Sequence, residues 1–301
     1  MKNIYAIIVT YNAMRRGWID RCLNSLREST IQIIPVVVDN CSSDGTREYV
    51  PQNYPEAVWL PQDKNMGFGQ GNNVGIRYAM THDASHVLLL NQDAALHAEA
   101  IEHMLKADDG MSLLSPLHLN GTGTAFDHNF RKYSFPSDGN ITEDILVHGD
   151  MQTAYETGEI CAACWLLPIG IIEKIGGFNP VFFQYSEDNN YYDRLFYHGI
   201  RTLLVPRAKM YHDRVCQGDT QAYNNRLLRR LLTLAAYDIN NSAADCMKAF
   251  CRLFISCYLH QLPHGKYIPG KFTCEAIRLI ADMRNIRASR KKEKTINPNW
   301  L

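Results

Sequence analysis

The chain has 301 residues, 46% hydrophobic and 21% charged, with a formal net charge of zero. That composition excludes collagen, low-complexity disorder and a small disulfide scaffold, and the length suffices for one large domain or two smaller ones around a sizeable core. Mean hydropathy is −0.26, and every apolar run stops well short of the about 18 residues that a membrane-spanning helix requires.

Met1-Lys2-Asn3-Ile4 runs straight into a strand-like pattern with no signal-peptide cleavage region, so the expected location is the cytoplasm. Nine cysteines are scattered along the chain. Cys161 and Cys164 form a CxxC pair in apolar sequence without a second pair at zinc-site spacing, which reads as ordinary buried thiols. The zero net charge hides an asymmetry. Residues 1–220 hold 17 Lys and Arg against 26 Asp and Glu, whereas residues 221–301 hold 14 against 5.

The first hundred residues alternate between strand and helix signals. Residues 4–10 (IYAIIVT) form an apolar, β-branched run suited to a strand buried on both faces. Ile19, Cys22, Leu23 and Leu26 recur at helical spacing within 16–29. Residues 33–39 (IIPVVVD) predict a second buried strand, Ser43 to Thr46 a turn or helix start, and 58–60 a short third strand. Residues 69–82 predict a helix, and 87–90 (VLLL) a fourth strand cut off by Asn91-Gln92-Asp93. Strands alternating with short helices predict a parallel βαβ sheet.

The middle, about 115–160, is rich in Gly, Asn, Asp and Ser and reads as a loop-rich insertion. Apolar sequence returns at 161–178 and ends in Gly176-Gly177-Phe178, which suggests a tight turn. Residues 188–198 predict a helix and 201–205 a strand, and the chain is helical and basic from about 221.

Ligands of parallel sheets collect at the carboxyl ends of the strands. Three polar clusters fall there: Thr10-Tyr11-Asn12, Asp39-Asn40 and Asn91-Gln92-Asp93. Gly67, Gly69 and Gly71 follow Asn65, but their GxGxG spacing does not follow the first strand, which excludes a dinucleotide fingerprint. The segment is either a flexible turn into a helix or backbone that comes close to a sugar or phosphate.

Together IVTYN (8–12), VVDNCSSDGT (37–46), NMGFGQGNN (65–73), LLLNQDA (88–94) and GGFNPVFFQYSEDNNYYDRLFYHG (176–199) resemble the inverting family 2 glycosyltransferases, most nearly the branch holding rhamnosyltransferases of bacterial polysaccharide synthesis. The resemblance covers about residues 4–213. It implies a GT-A fold, α/β, with a Rossmann-like, mostly parallel sheet flanked by helices. The catalytic domain would span 1–220, with a nucleotide-sugar half to about 110 and an acceptor half from about 111, and a basic helical extension would span 221–301.

The resemblance also implies roles. Thr10, Tyr11 and Asn12 would line the nucleotide, Asp39 would accept from its base, and Asn65 and Gly67 would lie near ribose and sugar. Asn91, Gln92 and Asp93 stand where the family has its DxD element, with Asp93 helping to hold Mg²⁺ or Mn²⁺ on the diphosphate, and Asn91 departing from that pattern. His212 stands where some GT-A enzymes supply a further metal ligand. Asp188 would be the catalytic base, with Glu187 beside it as a second carboxylate or an acceptor-orienting group. Inversion needs such a carboxylate to take the proton of the attacking hydroxyl, although acidic residues at a helix start also serve as dipole partners.

Trp165 and Tyr185 are candidates for stacking on an acceptor sugar, with buried packing the other reading of each. Asp193 and Arg194 suggest a structural ion pair. The implied partners are a nucleoside-diphosphate sugar, dTDP-rhamnose foremost, and a glycan or lipid-linked acceptor, without nucleic acid. The basic tail reads as helices packed on the catalytic domain or as a peripheral contact with an anionic membrane, and a third reading, nucleic-acid binding, finds no recognisable module there. Two other functions stay open: a nucleotidyltransferase, which lacks the expected glycine-rich loop after the first strand, and an inactive sugar-nucleotide-binding scaffold, which the Asn91 departure allows.

Overall fold

The computed structural model describes residues 2–131, 140–214, 221–258, 269–297 and 299–301. The boundary expected at residue 220, and positions 132–139 of the loop-rich middle, lie outside the described residues.

The predicted elements form in order: β1 (Ile4–Thr10), α1 (Trp18–Arg27), β2 (Ile34–Asp39), α2 (Thr46–Asn53), β3 (Val58–Pro61), α3 (Gly67–Met80) and β4 (His86–Leu90). Next come β5 (Ala94–Leu96), α4 (Ala100–Ala107), β6 (Leu113–Asn120), α5 (Asn140–Glu143), β7 (Tyr155–Thr157), β8 (Cys164–Pro168), α6 (Ile169–Ile175), α7 (Glu187–Tyr197) and β9 (Thr202–His212). Four basic helices follow: α8 (Gln221–Tyr237), α9 (Ala243–Tyr258), α10 (Pro269–Ala281) and α11 (Met283–Glu293).

The strands make one sheet of order β3-β2-β1-β4-β8-β6-β9-β5, with β7 also on β9. Pairs β1–β2, β1–β4 and β2–β3 are parallel, as expected. The sheet turns antiparallel at β8 and parallel again between β6 and β9. Strand β6 lies inside the stretch expected to be loop. Pro116 breaks its alternation, and the register with β9 shifts at Pro116/Leu117, so the residues show no period of two.

Alternation along the central strands explains their continuous apolar runs. Ile4, Ala6, Ile8, Leu88 and Leu90 face α1 and α4, while Tyr5, Ile7, Val36, Val38, Val87 and Leu89 face α3, α6 and α7. A third cluster joins Leu228, Leu232 and Tyr237 of α8 to Phe272, Leu279 and Ile286, and it reaches the sheet-bearing part through Phe182. The C-terminal helices therefore pack on the segment that precedes α7. Among the described residues, no helix is long and apolar enough to cross a membrane.

Candidate functional site

Because β1, β2 and β4 are parallel neighbours, their carboxyl ends open on one edge, and the three polar clusters meet there. Asp39 is fully buried. Its carboxylate accepts from Thr10 Oγ1 at 3.1 Å and from the Ser42 amide at 3.1 Å, and Arg47 Nε lies 3.3 Å away. Asn12 takes φ 53°, a left-handed conformation that asparagine tolerates. Its amide donates to Ser42 Oγ at 2.9 Å, and its Oδ1 accepts from the Ser43 amide at 2.9 Å. Gln92 clasps Tyr11, accepting from its amide at 2.8 Å and donating to its carbonyl at 3.2 Å. That clasp leaves the Tyr11 ring half exposed.

Strand β9 ends beside β5, opposite Ala94, which sets His212 against Asp93. His212 Nε2 lies 3.3 Å from Asp93 Oδ1, and its Nδ1 faces Asp127 Oδ2 at 3.7 Å. Arg214 Nε lies 3.4 Å from the same Asp127 oxygen. Burial alone would push the Asp93 carboxyl up, but the His212 hydrogen bond and the charges of His212 and Arg214 hold it below the ordinary carboxylate range. One carboxylate oxygen and one imidazole nitrogen converge, while the imidazole's other nitrogen faces Arg214 Nη2 at 3.4 Å and the Asp127 carboxylate beyond it. This donor pair fits a Mg²⁺- or Mn²⁺-type ion completed by phosphate and water. No group of three such ligands occurs among the described residues.

The glycine segment is mostly helix, and its glycines serve packing. A Cβ on Gly71 would stand 2.7 Å from Val9, and one on Gly75 would overlap Ile7. Gly69 meets Phe178 in the same way at 2.9 Å. Gly67, at φ 81°, lies against the Phe183 carbonyl, which accepts from the Phe68 amide at 3.2 Å. Asn65 Oδ1 accepts from the Gly67 amide at 2.8 Å, and Asn40 Nδ2 donates to the Gly67 carbonyl at 2.9 Å. Asn65 and Gly67 therefore fasten the carboxyl-end edge of the sheet to the segment before α7.

That segment presents the candidate carboxylates. Glu187 is nearly fully buried beside Gly69, and its Oε2 has no hydrogen-bond partner among the described residues. Burial first, and the neighbouring Asp188 charge second, push its carboxyl up to about 8. Asp188 is half-buried and accepts from the Asn189 amide at 3.0 Å. Glu159, joined to the Asn189 side-chain amide, is pushed up to about 7 by burial and by Asp188. The Cys161 thiol, raised to about 12 chiefly by burial, also feels Arg214, Asp188 and Asp127.

Two expectations are corrected. Trp165 does not face an acceptor: it is 1% exposed, stacks near Phe178 and Tyr191, and donates from Nε1 to the Ile160 carbonyl at 3.2 Å. Its place on central strand β8 puts it in the core. Arg194 forms no ion pair with Asp193. It is fully buried and donates to the Ile175 and Gly177 carbonyls at 2.7 and 2.6 Å, which anchors the Gly176-Gly177 turn. Tyr185 is exposed, with the Arg230 guanidinium over its ring. Residues not singled out from sequence are Ser42, Arg47, Asp127, Glu159 and Arg214. Arg47 and Ser42 lie in or beside the VVDNCSSDGT run, whereas the other three reach the site from loops with no pattern of their own.

The model of the family described as "Glycosyl transferase family 2" matches residues 5–176, more than half of the chain, and the chain belongs to that family. It is 27% identical over 218 residues to the "N-acetylglucosaminyl-diphospho-decaprenol L-rhamnosyltransferase" of Mycobacterium tuberculosis, covering 64% of this chain and 71% of that protein. It is also 27% identical over 160 residues to the "Low-salt glycan biosynthesis hexosyltransferase Agl10" of Haloferax volcanii, covering 51% of this chain and only half of that protein. Among solved structures, TarS 1-349 of S. aureus matches with a TM-score of 0.57 at 16% identity, covering 98% of this chain and 89% of that one. The mannosyltransferase PcManGT from Pyrobaculum calidifontis, in complex with GDP-Man and Mn²⁺, also matches with a TM-score of 0.57 at 16% identity, covering 97% and 84%. These two likenesses establish the GT-A fold.

A carboxyl whose folded value lies above its ordinary 4.5 binds its proton more tightly in the folded state, so its contribution is complete below that value and is lost as pH climbs through about 8. Glu187→Gln removes this titration. The melting temperature of the variant, relative to wild type, is expected to rise between about pH 5 and about pH 8.5. A difference that is flat with pH would contradict the burial of Glu187.

Proposed function

We propose that the chain is an inverting hexosyltransferase that moves a sugar from a nucleoside-diphosphate donor, dTDP-rhamnose foremost, to a hydroxyl of a glycan or lipid-linked acceptor. The observation that carries this reading is that the ends of β1, β2 and β4, joined through the Gln92–Tyr11 clasp, are fastened through Gly67 and Gly69 to the segment that starts α7 and bears Glu187 and Asp188. The donor sugar rests on the rhamnosyltransferase relative, a protein of 27% identity.

In this reading Thr10, Tyr11, Asn12 and Asp39 bind the nucleotide, with Asn65, Gly67, Asn91 and Gln92 shaping the pocket wall. Asp93 and His212 would hold Mg²⁺ or Mn²⁺, which offsets charge on the departing diphosphate. Asp188, the more accessible of the two α7 carboxylates, takes the proton of the acceptor hydroxyl. The acceptor oxygen bonds to the anomeric carbon, the bond from that carbon to the diphosphate oxygen breaks, and configuration inverts. Glu187, buried and protonated at neutral pH, supports the turn and the acceptor side without serving as base. Tyr185 offers an exposed ring to the acceptor.

Peripheral membrane contact through the extension is part of the same reading. Met247, Ile255, Ile277 and Ile280 are exposed on α9 and α10, near Lys248 and Arg252, on an extension with a marked basic excess. Cosedimentation with phosphatidylglycerol vesicles, weakened in Ile277→Asp/Ile280→Asp, is the expected result, and equal sedimentation of the variant would remove this surface.

Nucleoside diphosphate release from a panel of dTDP-, UDP- and GDP-sugars, with and without Mn²⁺, tests the chemistry. One donor is expected to give metal-dependent release that falls by about 10²-fold or more in Asp188→Asn while nucleotide binding stays intact. Release unaffected by the substitution would remove Asp188 as base. Absence of both nucleotide binding and release would sink the donor assignment.

A further inference from the structure

The backbone just ahead of Asp188 is held in an uncommon form. Tyr185 and Ser186 are consecutive non-glycine residues with φ of 67° and 70°, in the left-handed region that L side chains disfavour. Ser186 is the N-cap residue of α7, where a serine hydroxyl ordinarily accepts from a first-turn amide. It makes no such bond. Its Oγ accepts from Arg230 Nε at 3.3 Å, and the same guanidinium lies 4.5 Å from the centre of the Tyr185 ring.

One side chain therefore grips both left-handed residues. Arg230 comes from α8, outside the residues that the family model matches. In the basic run 226–234, Arg226 and Arg229 are exposed, and Arg229 turns to Glu275 at 3.7 Å, whereas Arg230 is half-buried against the catalytic body. Leu228 and Leu232, on the same helix, are buried in the cluster that contains Phe182, three residues before Tyr185. The helix that carries the arginine and the turn it holds are thus fixed to each other from two sides.

We propose that Arg230 is a positioning residue that locks the Tyr185–Ser186 turn and so aims the Asp188 carboxylate, which makes the helical extension part of the catalytic apparatus. This rests on the reading of Asp188 as the base. Loss of the arginine would free the turn to relax toward ordinary dihedrals and rotate the start of α7, with the donor edge unaffected.

Hydrogen exchange and donor turnover, measured on the full chain, separate the two claims. In Arg230→Ala, amides of 185–190 are expected to exchange at least about tenfold faster, with those of α3 unchanged. Nucleoside diphosphate release should lose about 10- to 100-fold in kcat, with the donor KM within about twofold of wild type. Arg230→Ala/Ser186→Gly should recover a large part of kcat, because glycine holds a positive φ without help.

Unchanged exchange at 185–190 would overturn the proposal, as would full turnover in Arg230→Ala when Asp188→Asn is inactive. A uniform rise in exchange across the chain without rescue by the double variant would also overturn it, by showing a general loss of fold. Full release in Asp188→Asn would instead defeat the base assignment, and the exchange result would still judge the arginine contact.

Discussion

Helix α3 lies closer to its neighbours than side chains permit, and the site depends on that approach. Gly71 and Gly75 let it settle on Val9 and Ile7 of β1, while Gly67 and Gly69 let the Phe178–Phe183 segment close over its start. Interiors pack at crystal-like density, so even one added methyl here would have to displace strand or backbone. The contact joins two parts of the chain about a hundred residues apart. It brings the ends of β1, β2 and β4 to the start of α7.

Electrostatics sharpen that division. At the ends of β2 and β4, Asp39 and Asp93 are matched by Arg47 and His212 and are held by hydrogen bonds. Around the start of α7, buried Glu187 and partly buried Glu159 and Asp193 stand near other acids and are all pushed upward. The first environment suits contact with a phosphate through a cation, and the second raises the carboxyls that surround partly exposed Asp188. The left-handed Tyr185–Ser186 pair, at about 1–3 kcal/mol for each such residue, persists because packing and Arg230 over-determine it.

The central strands were legible because a strand buried on both faces must be apolar throughout, and the polar residues that end each run mark the ligand edge. Asp39 and Asp93 stand out because they end such runs, whereas Asp188, at a helix start, was singled out only through the family resemblance. Strand β6 was not, because Pro116 and the inward Ser115–His118 pair, which satisfy each other at 3.1 Å, erase its alternation. Asp127 and Arg214 meet across 87 positions, and Glu159 meets Asn189 across 30, so no local pattern records them. Trp165 read equally as core or as sugar platform, and only its position on a central strand decides for the core. Arg230 was hidden within a basic run whose other arginines face solvent or neighbouring helices.

The most direct test of the account is a crystal structure of Asp188→Asn with a nucleotide sugar and Mn²⁺. The account predicts the nucleobase beside Asp39, the ion between the diphosphate and the Asp93–His212 pair, and residue 188 facing the anomeric carbon on the side opposite the diphosphate. A diphosphate bound away from the ends of β1 and β4, or a residue 188 turned from the sugar, would contradict it.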